Sequence, residues 1–216
     1  MLEHVSLPEA VARALRHRIL NNDIPAESRL VEANLAAEFG VSRGTIRDAM
    51  RTLQSEGLIE IVPRRYSIVT RMSAGDAEDV CYARYILEDA SLSQGLVRAQ
   101  PGELAGQLAA AMAEMDAAVQ ANDLDALVAS DTRFHRHLVG LSGRQRLAQL
   151  WSILDSQMGA VLRSEIERRG TGPGGAVQRH RDLSGAVLSG DSRQAREALR
   201  AHYLSGFPGY GSVSIS

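Results

Sequence analysis

The chain has 216 residues, a formal net charge of −2 and a single cysteine, Cys81. A single cysteine excludes an intrachain disulfide and a zinc finger built on cysteines. No apolar run approaches the length of a membrane span, and the first residues lack the apolar core of a signal peptide. We therefore expect a soluble, cytoplasmic protein with no membrane partner, long enough for two domains.

The first predicted helix begins after Ser6. Ser6 and Glu9 have the spacing of a capping box, which starts a helix. The helix is expected to run to about Asn21, and the polar segment 22–28 that follows is predicted to be a loop. The apolar face of the helix is formed by Val11, Leu15 and Ile19.

Two short helices joined by a tight turn are predicted next. The first covers residues 32–39, and Gly40 supplies the left-handed conformation that ends it. Ser42 caps the second helix, residues 43–56. Apolar residues recur with helical spacing on one side of this second helix, at Ile46, Ala49, Met50 and Leu53. Arginines occupy every fourth position on another side, at Arg43, Arg47 and Arg51.

A two-stranded β-hairpin is predicted after these helices. Its strands cover residues 58–62 and 67–71, and Arg64 and Arg65 lie in the turn between them. The segment 40–71 has six arginines and three acidic residues, a net charge of +3. A stripe of arginines alone would fit a solvated helix face equally well. A basic helix followed by a basic hairpin, however, fits the major groove of DNA and the neighbouring backbone, so the combination predicts DNA binding.

Residues 29–62, RLVEANLAAEFGVSRGTIRDAMRTLQSEGLIEIV, resemble the winged helix-turn-helix of the GntR family of bacterial transcription regulators. The family pattern of Leu-Ala, Gly-Val-Ser-Arg, Ile-Arg and Gly-Leu-Ile is met in order between Leu35 and Ile59. The resemblance implies a homodimer that binds a palindromic operator in double-stranded DNA. The residues expected to contact DNA are Ser42, Arg43, Thr45, Arg47, Arg51, Arg64 and Arg65.

The rest of the chain is predicted to be helical, so the fold class is mostly α. Ser73 and Asp76 have the spacing of a helix cap. We place the domain boundary there, between a DNA-binding domain of residues 1–72 and a C-terminal domain of residues 73–216. Turn-forming residues delimit six helices of an antiparallel bundle, at about 76–99, 102–120, 123–140, 144–168, 174–189 and 191–205.

Four polar residues interrupt the apolar stripes of this bundle. Asp131 and His135 lie one turn apart on the third predicted helix, and His180 and His202 lie on the fifth and sixth. A single inward histidine is usually a hydrogen-bonded core residue, but burying all of these groups unpaired would cost about 1–3 kcal/mol each. A shared divalent metal accounts for them together. Imidazole and carboxylate ligands favour zinc, with nickel, manganese and iron as alternatives.

The C-terminal sequence is similar to the FCD effector domain of the FadR subfamily, and six helices indicate its VanR-like branch. The segments DTRFHRHL, RHRDLSGAVLSGD and RAHYL carry this resemblance. Metal-binding members of the group use an Asp-x3-His pair and two later histidines. These positions correspond to Asp131, His135, His180 and His202. The resemblance also implies a small organic acid as the effector.

Arg84 lies on the inward stripe of the first bundle helix. Two interpretations stay open for it. It forms an ion pair, with Glu88 as the nearest partner in sequence, or its guanidinium binds the carboxylate of the acid bidentately.

These features predict a ligand-responsive transcription regulator, most often a repressor in this family, and not an enzyme. The acid would bind one arrangement of the bundle better than another and so change operator affinity through a coupling free energy. Two alternatives remain open: a direct metal sensor, and a metallohydrolase fused to a DNA-binding domain.

Overall fold

The computed structural model describes residues 6–62, 66–98, 100–169 and 174–205. Over these ranges the chain forms ten α-helices and one small antiparallel sheet. None of the helices in the described ranges combines the length and the apolar character needed to cross a bilayer. The mostly α fold class predicted from the sequence is confirmed.

The N-terminal unit has the predicted helix-turn-helix. Ser6 Oγ accepts a hydrogen bond from the Glu9 amide and caps the first helix. Gly40 has a φ of 65° after the second helix, a conformation that glycine adopts without strain. The elements are α1 (Leu7–Leu20), β1 (Arg29–Leu30), α2 (Glu32–Phe39), α3 (Arg43–Ser55), β2 (Ile59–Val62) and β3 (Tyr66–Val69).

The wing has three strands instead of the predicted two. Strand β3 lies between β1 and β2, and Arg29 and Leu30 of β1 pair with Ile68 and Ser67. The Arg29 guanidinium also lies 4.6 Å from the centre of the Tyr66 ring, a cation–π distance. A strand of two residues is too short to show the alternation of apolar and polar residues that predicts a strand. It is therefore recognised only by its pairing with residues distant in sequence.

The C-terminal unit is a bundle of seven helices instead of the predicted six. The predicted helix 144–168 ends at Asp155, and a new helix starts at Met158. Ser156 ends the first of these helices, and its Oγ lies 2.7 Å from the carbonyl oxygen of Ile153 and 3.2 Å from that of Ser55. The VanR-like assignment rested on six helices and loses that support. The helices are α4 (Ala74–Gly95), α5 (Pro101–Ala121), α6 (Leu124–Gly140), α7 (Gln145–Asp155), α8 (Met158–Arg169), α9 (Gly174–Leu188) and α10 (Ser192–Leu204).

Each unit has its own apolar core. In the N-terminal unit, α1 and α3 pack through the apolar stripes predicted from the sequence, with Leu15, Ile46 and Leu53 fully buried. The larger core fills the bundle. Ala160 of α8 belongs to the N-terminal core although it lies in the C-terminal half of the chain. Helix α8 therefore packs against both units.

Candidate functional site

Three histidines from three helices converge inside the bundle. Nε2 of His135, on α6, lies 3.2 Å from Nε2 of His180 on α9 and 3.2 Å from Nε2 of His202 on α10. The Asp131 carboxylate joins them, with Oδ1 at 3.0 Å from His180 Nε2 and 3.9 Å from His135 Nε2. The structure thus brings together all four residues predicted as metal ligands.

Hydrogen bonds on the outer ring nitrogens orient two of the imidazoles. Nδ1 of His135 lies 2.7 Å from a carboxylate oxygen of Glu88, and Nδ1 of His180 lies 2.8 Å from the carbonyl oxygen of Ala176. A carbonyl and a carboxylate both accept, so each Nδ1 is the donor in its contact. In the neutral form of each ring, Nε2 then presents a lone pair, and two lone pairs 3.2 Å apart cannot hydrogen-bond to each other. They are arranged as ligands for a shared cation.

Glu88 connects this cluster to its surroundings. It is fully buried, and its Oε1 accepts from the Trp151 indole at 2.6 Å and from the Tyr203 hydroxyl at 2.7 Å. With His135 on the other oxygen, Glu88 has three hydrogen-bond partners from three helices. Trp151 and Tyr203 were not predicted from the sequence. An inward glutamate four residues after Arg84 was the only local signal for this network.

Arg84 is also fully buried, among three acidic side chains. Its Nη1 donates to Asp155 at 2.9 Å, and its Nη2 lies 3.7 Å from both Glu88 and Asp131. The structure therefore contains the ion pair with Glu88 that one interpretation expected. The role of Arg84 as a carboxylate clamp stays a prediction.

Burial and neighbouring charges shift the pKa values of Asp131 and His202. Burial raises the pKa of Asp131, but His135, His180 and Arg84 outweigh this effect and hold the pKa well below its usual range. Burial, together with the other two histidines, lowers the pKa of His202. An ionised Asp131 and a neutral His202 are the forms of these two side chains that bind a metal.

Three polar atoms of this region are buried without a hydrogen-bond partner among the described residues. They are Arg84 Nη2, Asp131 Oδ2 and His202 Nδ1. A buried polar atom without a partner is costly, and a bound ion or ligand is one of the partners that can satisfy it. The cluster thus has unused capacity to bind.

A small cavity of about 50 Å³ opens beside the histidines. Its walls are mostly apolar, with Asp131, His180 and His202 at one side. Arg179 and Glu165 also line it, and they form an ion pair at 3.2 Å. The other lining residues are Cys81, Leu127, Val128, Met158, Val161, Leu162, Ala176 and Tyr203.

The predicted DNA-binding residues that the structure describes lie on α3 and at its N-terminal cap. Ser42 caps α3 by accepting from the Thr45 amide, and the two hydroxyl oxygens lie 2.9 Å apart. The remaining predicted residues of this helix, Arg43, Arg47 and Arg51, are exposed, opposite the buried side that includes Ile46. The wing residues Arg64 and Arg65 lie outside the described residues.

The comparison with known proteins decides the family. Residues 7–69 match the profile described as "Bacterial regulatory proteins, gntR family", and residues 79–205 match the FCD domain profile. This chain is a GntR-family regulator. An HTH-type transcriptional regulator from Streptomyces ambofaciens, itself uncharacterized, is 30% identical over 89% of this chain and 80% of its own. The gluconate operon transcriptional repressor of Bacillus licheniformis is 28% identical over 78% of this chain and 68% of its own.

The fold of this GntR-family regulator also matches solved structures. A GntR transcriptional regulator from Rhodococcus sp. RHA1 superposes with a TM-score of 0.71 at 22% identity, over 96% of this chain and 99% of the other. The two sequence relatives are transcription regulators and not enzymes, so the metallohydrolase alternative is set aside. The protein is a GntR-family transcription regulator with an FCD domain.

Proposed function

We propose that this regulator represses transcription by binding an operator as a homodimer, and that a small organic acid bound at a divalent metal in the FCD domain changes its operator affinity. The observation that carries the proposal is the convergence of three Nε2 atoms and one carboxylate in a buried cluster. The Bacillus relative is a repressor of a gluconate operon, which supports repression and is consistent with a carboxylic acid as the signal.

The donor set fits a divalent metal. Asp131, His135, His180 and His202 would hold the ion, with Glu88 fixing the ring of His135 from behind. Nitrogen and oxygen donors in this number favour zinc, while nickel, manganese and iron accept the same ligands. A bound ion of this kind acts as a Lewis acid that attracts the carboxylate of the effector.

The cavity beside the cluster supports a small effector with an apolar body. A carboxylate entering it would compete with Glu165 for Arg179, since guanidinium groups bind carboxylates bidentately. Arg84 remains the clamp predicted from the sequence, and Arg179 is a second candidate because it lines the cavity itself. The buried charge of Arg84 lies beside Asp131 and also stabilises that ligand in its ionised form.

Helix α8 provides a route from the cavity to the DNA-binding domain. One face of α8 lines the cavity through Met158, Val161, Leu162 and Glu165. The opposite face contacts the N-terminal unit, where Arg163 donates to the Ile19 carbonyl oxygen at 2.8 Å and to Asn22 Oδ1 at 3.0 Å. The contact places a positive charge at the C-terminal end of α1, where it is favourable. A ligand that shifts α8 would therefore shift α1 and the α3 helix packed on it.

A homodimer fits both the exposed surface and the operator. Tyr82 and Ile86 on α4 are 41% and 45% exposed, and Leu150 and Ile153 on the neighbouring α7 are 57% and 63% exposed. Large apolar side chains grouped on adjacent helices are typical of an interface. We propose that a second copy of this chain covers them, which would place two α3 helices on the half-sites of a palindrome.

A direct metal sensor is the second candidate, because the cavity of about 50 Å³ is small and the histidine cluster alone could respond to the ion. Operator titrations distinguish the two functions. The protein is compared after chelation, after zinc addition, and after zinc with each member of a panel of small carboxylic acids. A change in operator affinity that requires both zinc and an acid supports the proposal. A full response to zinc alone supports the sensor.

A further inference from the structure

Arg47 and Glu32 form a bidentate ion pair on the proposed DNA-binding surface. Nε and Nη2 of Arg47 donate to Oε1 and Oε2 of Glu32 at 3.1 and 2.7 Å. The two residues are 15 positions apart, Arg47 on the recognition helix α3 and Glu32 at the first position of α2. Their side chains are 53% and 36% exposed, respectively, so the pair is accessible to DNA.

The pair requires an explanation because a carboxylate on a DNA-binding surface repels phosphates. Exposed ion pairs contribute little to stability, so folding alone does not account for it. Glu32 is also favourable at the N-terminus of α2, but that effect needs no contact with α3. The hydrogen bonds from Arg47 lower the pKa of Glu32, and the charge of Arg43 adds to the effect. Glu32 is thus a full negative charge at neutral pH.

The geometry of the guanidinium indicates what the pair does. Glu32 engages the edge made of Nε and one hydrogen of Nη2. Because the group is planar with five donors in fixed directions, the edge made of Nη1 and the other hydrogen of Nη2 faces away from Glu32. This second edge is the one that can donate to O6 and N7 of guanine together. Glu32 also removes the rotational freedom that a long exposed arginine would otherwise lose on binding.

We propose that Glu32 is a specificity-determining residue, which holds Arg47 with one edge so that its other edge reads a guanine in the operator. The proposal rests on the DNA contact of Arg47 stated above. It makes Glu32 a positioning residue that lowers affinity for DNA in general and raises the preference for the correct sequence. Operator half-sites are accordingly expected to contain a guanine at the position that Arg47 faces.

The test compares Glu32→Gln, Arg47→Gln and the double variant, all as full-length protein. The probes are an operator duplex recovered with the wild-type protein from random sequences and a scrambled duplex at the same salt concentration. Glu38→Gln is the matched control, because Glu38 lies on α2 like Glu32 but pairs with Arg18 of α1, at 2.7 Å. Glu32→Gln and Glu38→Gln thereby each lose one negative charge from an ion pair of the same domain.

Glu32→Gln is expected to bind scrambled DNA at least as tightly as the wild type and to lose about tenfold in the ratio of operator to scrambled affinity. In Arg47→Gln the ratio of operator to scrambled affinity should fall by a similar factor. In the double variant this ratio should fall no further than in Arg47→Gln alone. The control should keep the wild-type ratio. If the ratio is unchanged in Glu32→Gln but reduced in Arg47→Gln, the proposed role of Glu32 is overturned and the base contact of Arg47 stands. Additive losses also overturn it, since Glu32 would then read a base itself. An unchanged ratio in Arg47→Gln overturns the base contact of Arg47 and the inference together.

Discussion

Glu88 Oε2 lies 2.7 Å from Nδ1 of His135, in a fully buried contact between α4 and α6. The contact fixes both the tautomer and the orientation of a proposed metal ligand. It leaves the Nε2 lone pair of His135 directed at the other two histidines.

Replacing Glu88 by glutamine should therefore weaken metal binding. Loss of such a supporting carboxylate typically lowers metal affinity by about 10- to 100-fold. Zinc affinity can be measured by competition against a chromophoric chelator. The control is Glu114→Gln, which removes a carboxylate from an exposed pair with Arg133. Equal zinc affinities in both variants would show that Glu88 supports the fold and not the metal ligands.

Arg163→Met should disconnect the bundle from the DNA-binding domain. The variant keeps the cavity residues and α3 but loses the contacts with Ile19 and Asn22. We expect it to bind zinc and operator, and to lose about 1 kcal/mol of the coupling between effector and operator binding. The coupling is measured as the ratio of operator affinities with and without zinc and acid. Arg181→Met, from an exposed pair with Asp116, is the control. A wild-type ratio in Arg163→Met would contradict a route through α8.

The wing arginines should contribute salt-dependent affinity. Alanine at both Arg64 and Arg65 removes two positive charges, so the slope of log K against log salt should become less steep by about 1.8. Operator titrations at four salt concentrations measure this slope. Arg193→Ala, on the exposed side of α10, should leave it unchanged. A wild-type slope in the double alanine variant would show that the wing tip does not contact the DNA backbone.

Cys81 should react slowly in the folded protein. Burial, with a smaller contribution from the charge of Glu165, raises the pKa of this thiol to about 12. A raised pKa leaves less of the reactive thiolate at any pH below it. The thiolate fraction of Cys81 is lower than that of an ordinary cysteine on the order of a thousandfold. Iodoacetamide labelling at pH 8, followed by mass spectrometry, measures the rate. Comparable rates in native and urea-unfolded protein would contradict the burial of Cys81.

Local signals explain why the N-terminal unit could be predicted closely. The cap at Ser42 and the left-handed Gly40 are encoded within a few residues of the elements they bound. At the break between α7 and α8, which was missed, Ser156 Oγ lies 3.2 Å from the carbonyl oxygen of Ser55, 101 residues earlier. No periodicity within the helix can report such a contact.

The same reasoning applies to the candidate site. Asp131, His135, His180 and His202 could be proposed because each interrupts an apolar stripe. The hydrogen bonds of Glu88 could not be predicted from the sequence, because its partners His135, Trp151 and Tyr203 are 47, 63 and 115 residues away. The inward stripe also placed Arg84 in the bundle interior, but only the packing shows which acidic groups surround it.

The metal content of the purified protein tests the central claim most directly. We expect one divalent ion per chain by elemental analysis after purification without chelators, and less in His180→Ala, with His137→Ala as the control outside the cluster. An ion that binds only the folded state at 100 times its Kd stabilises it by about 2.7 kcal/mol, so a chelator should lower the melting temperature of the wild type but not of His180→Ala. Absence of stoichiometric metal, with no stabilisation when zinc, nickel, manganese or iron is added back, would contradict the account.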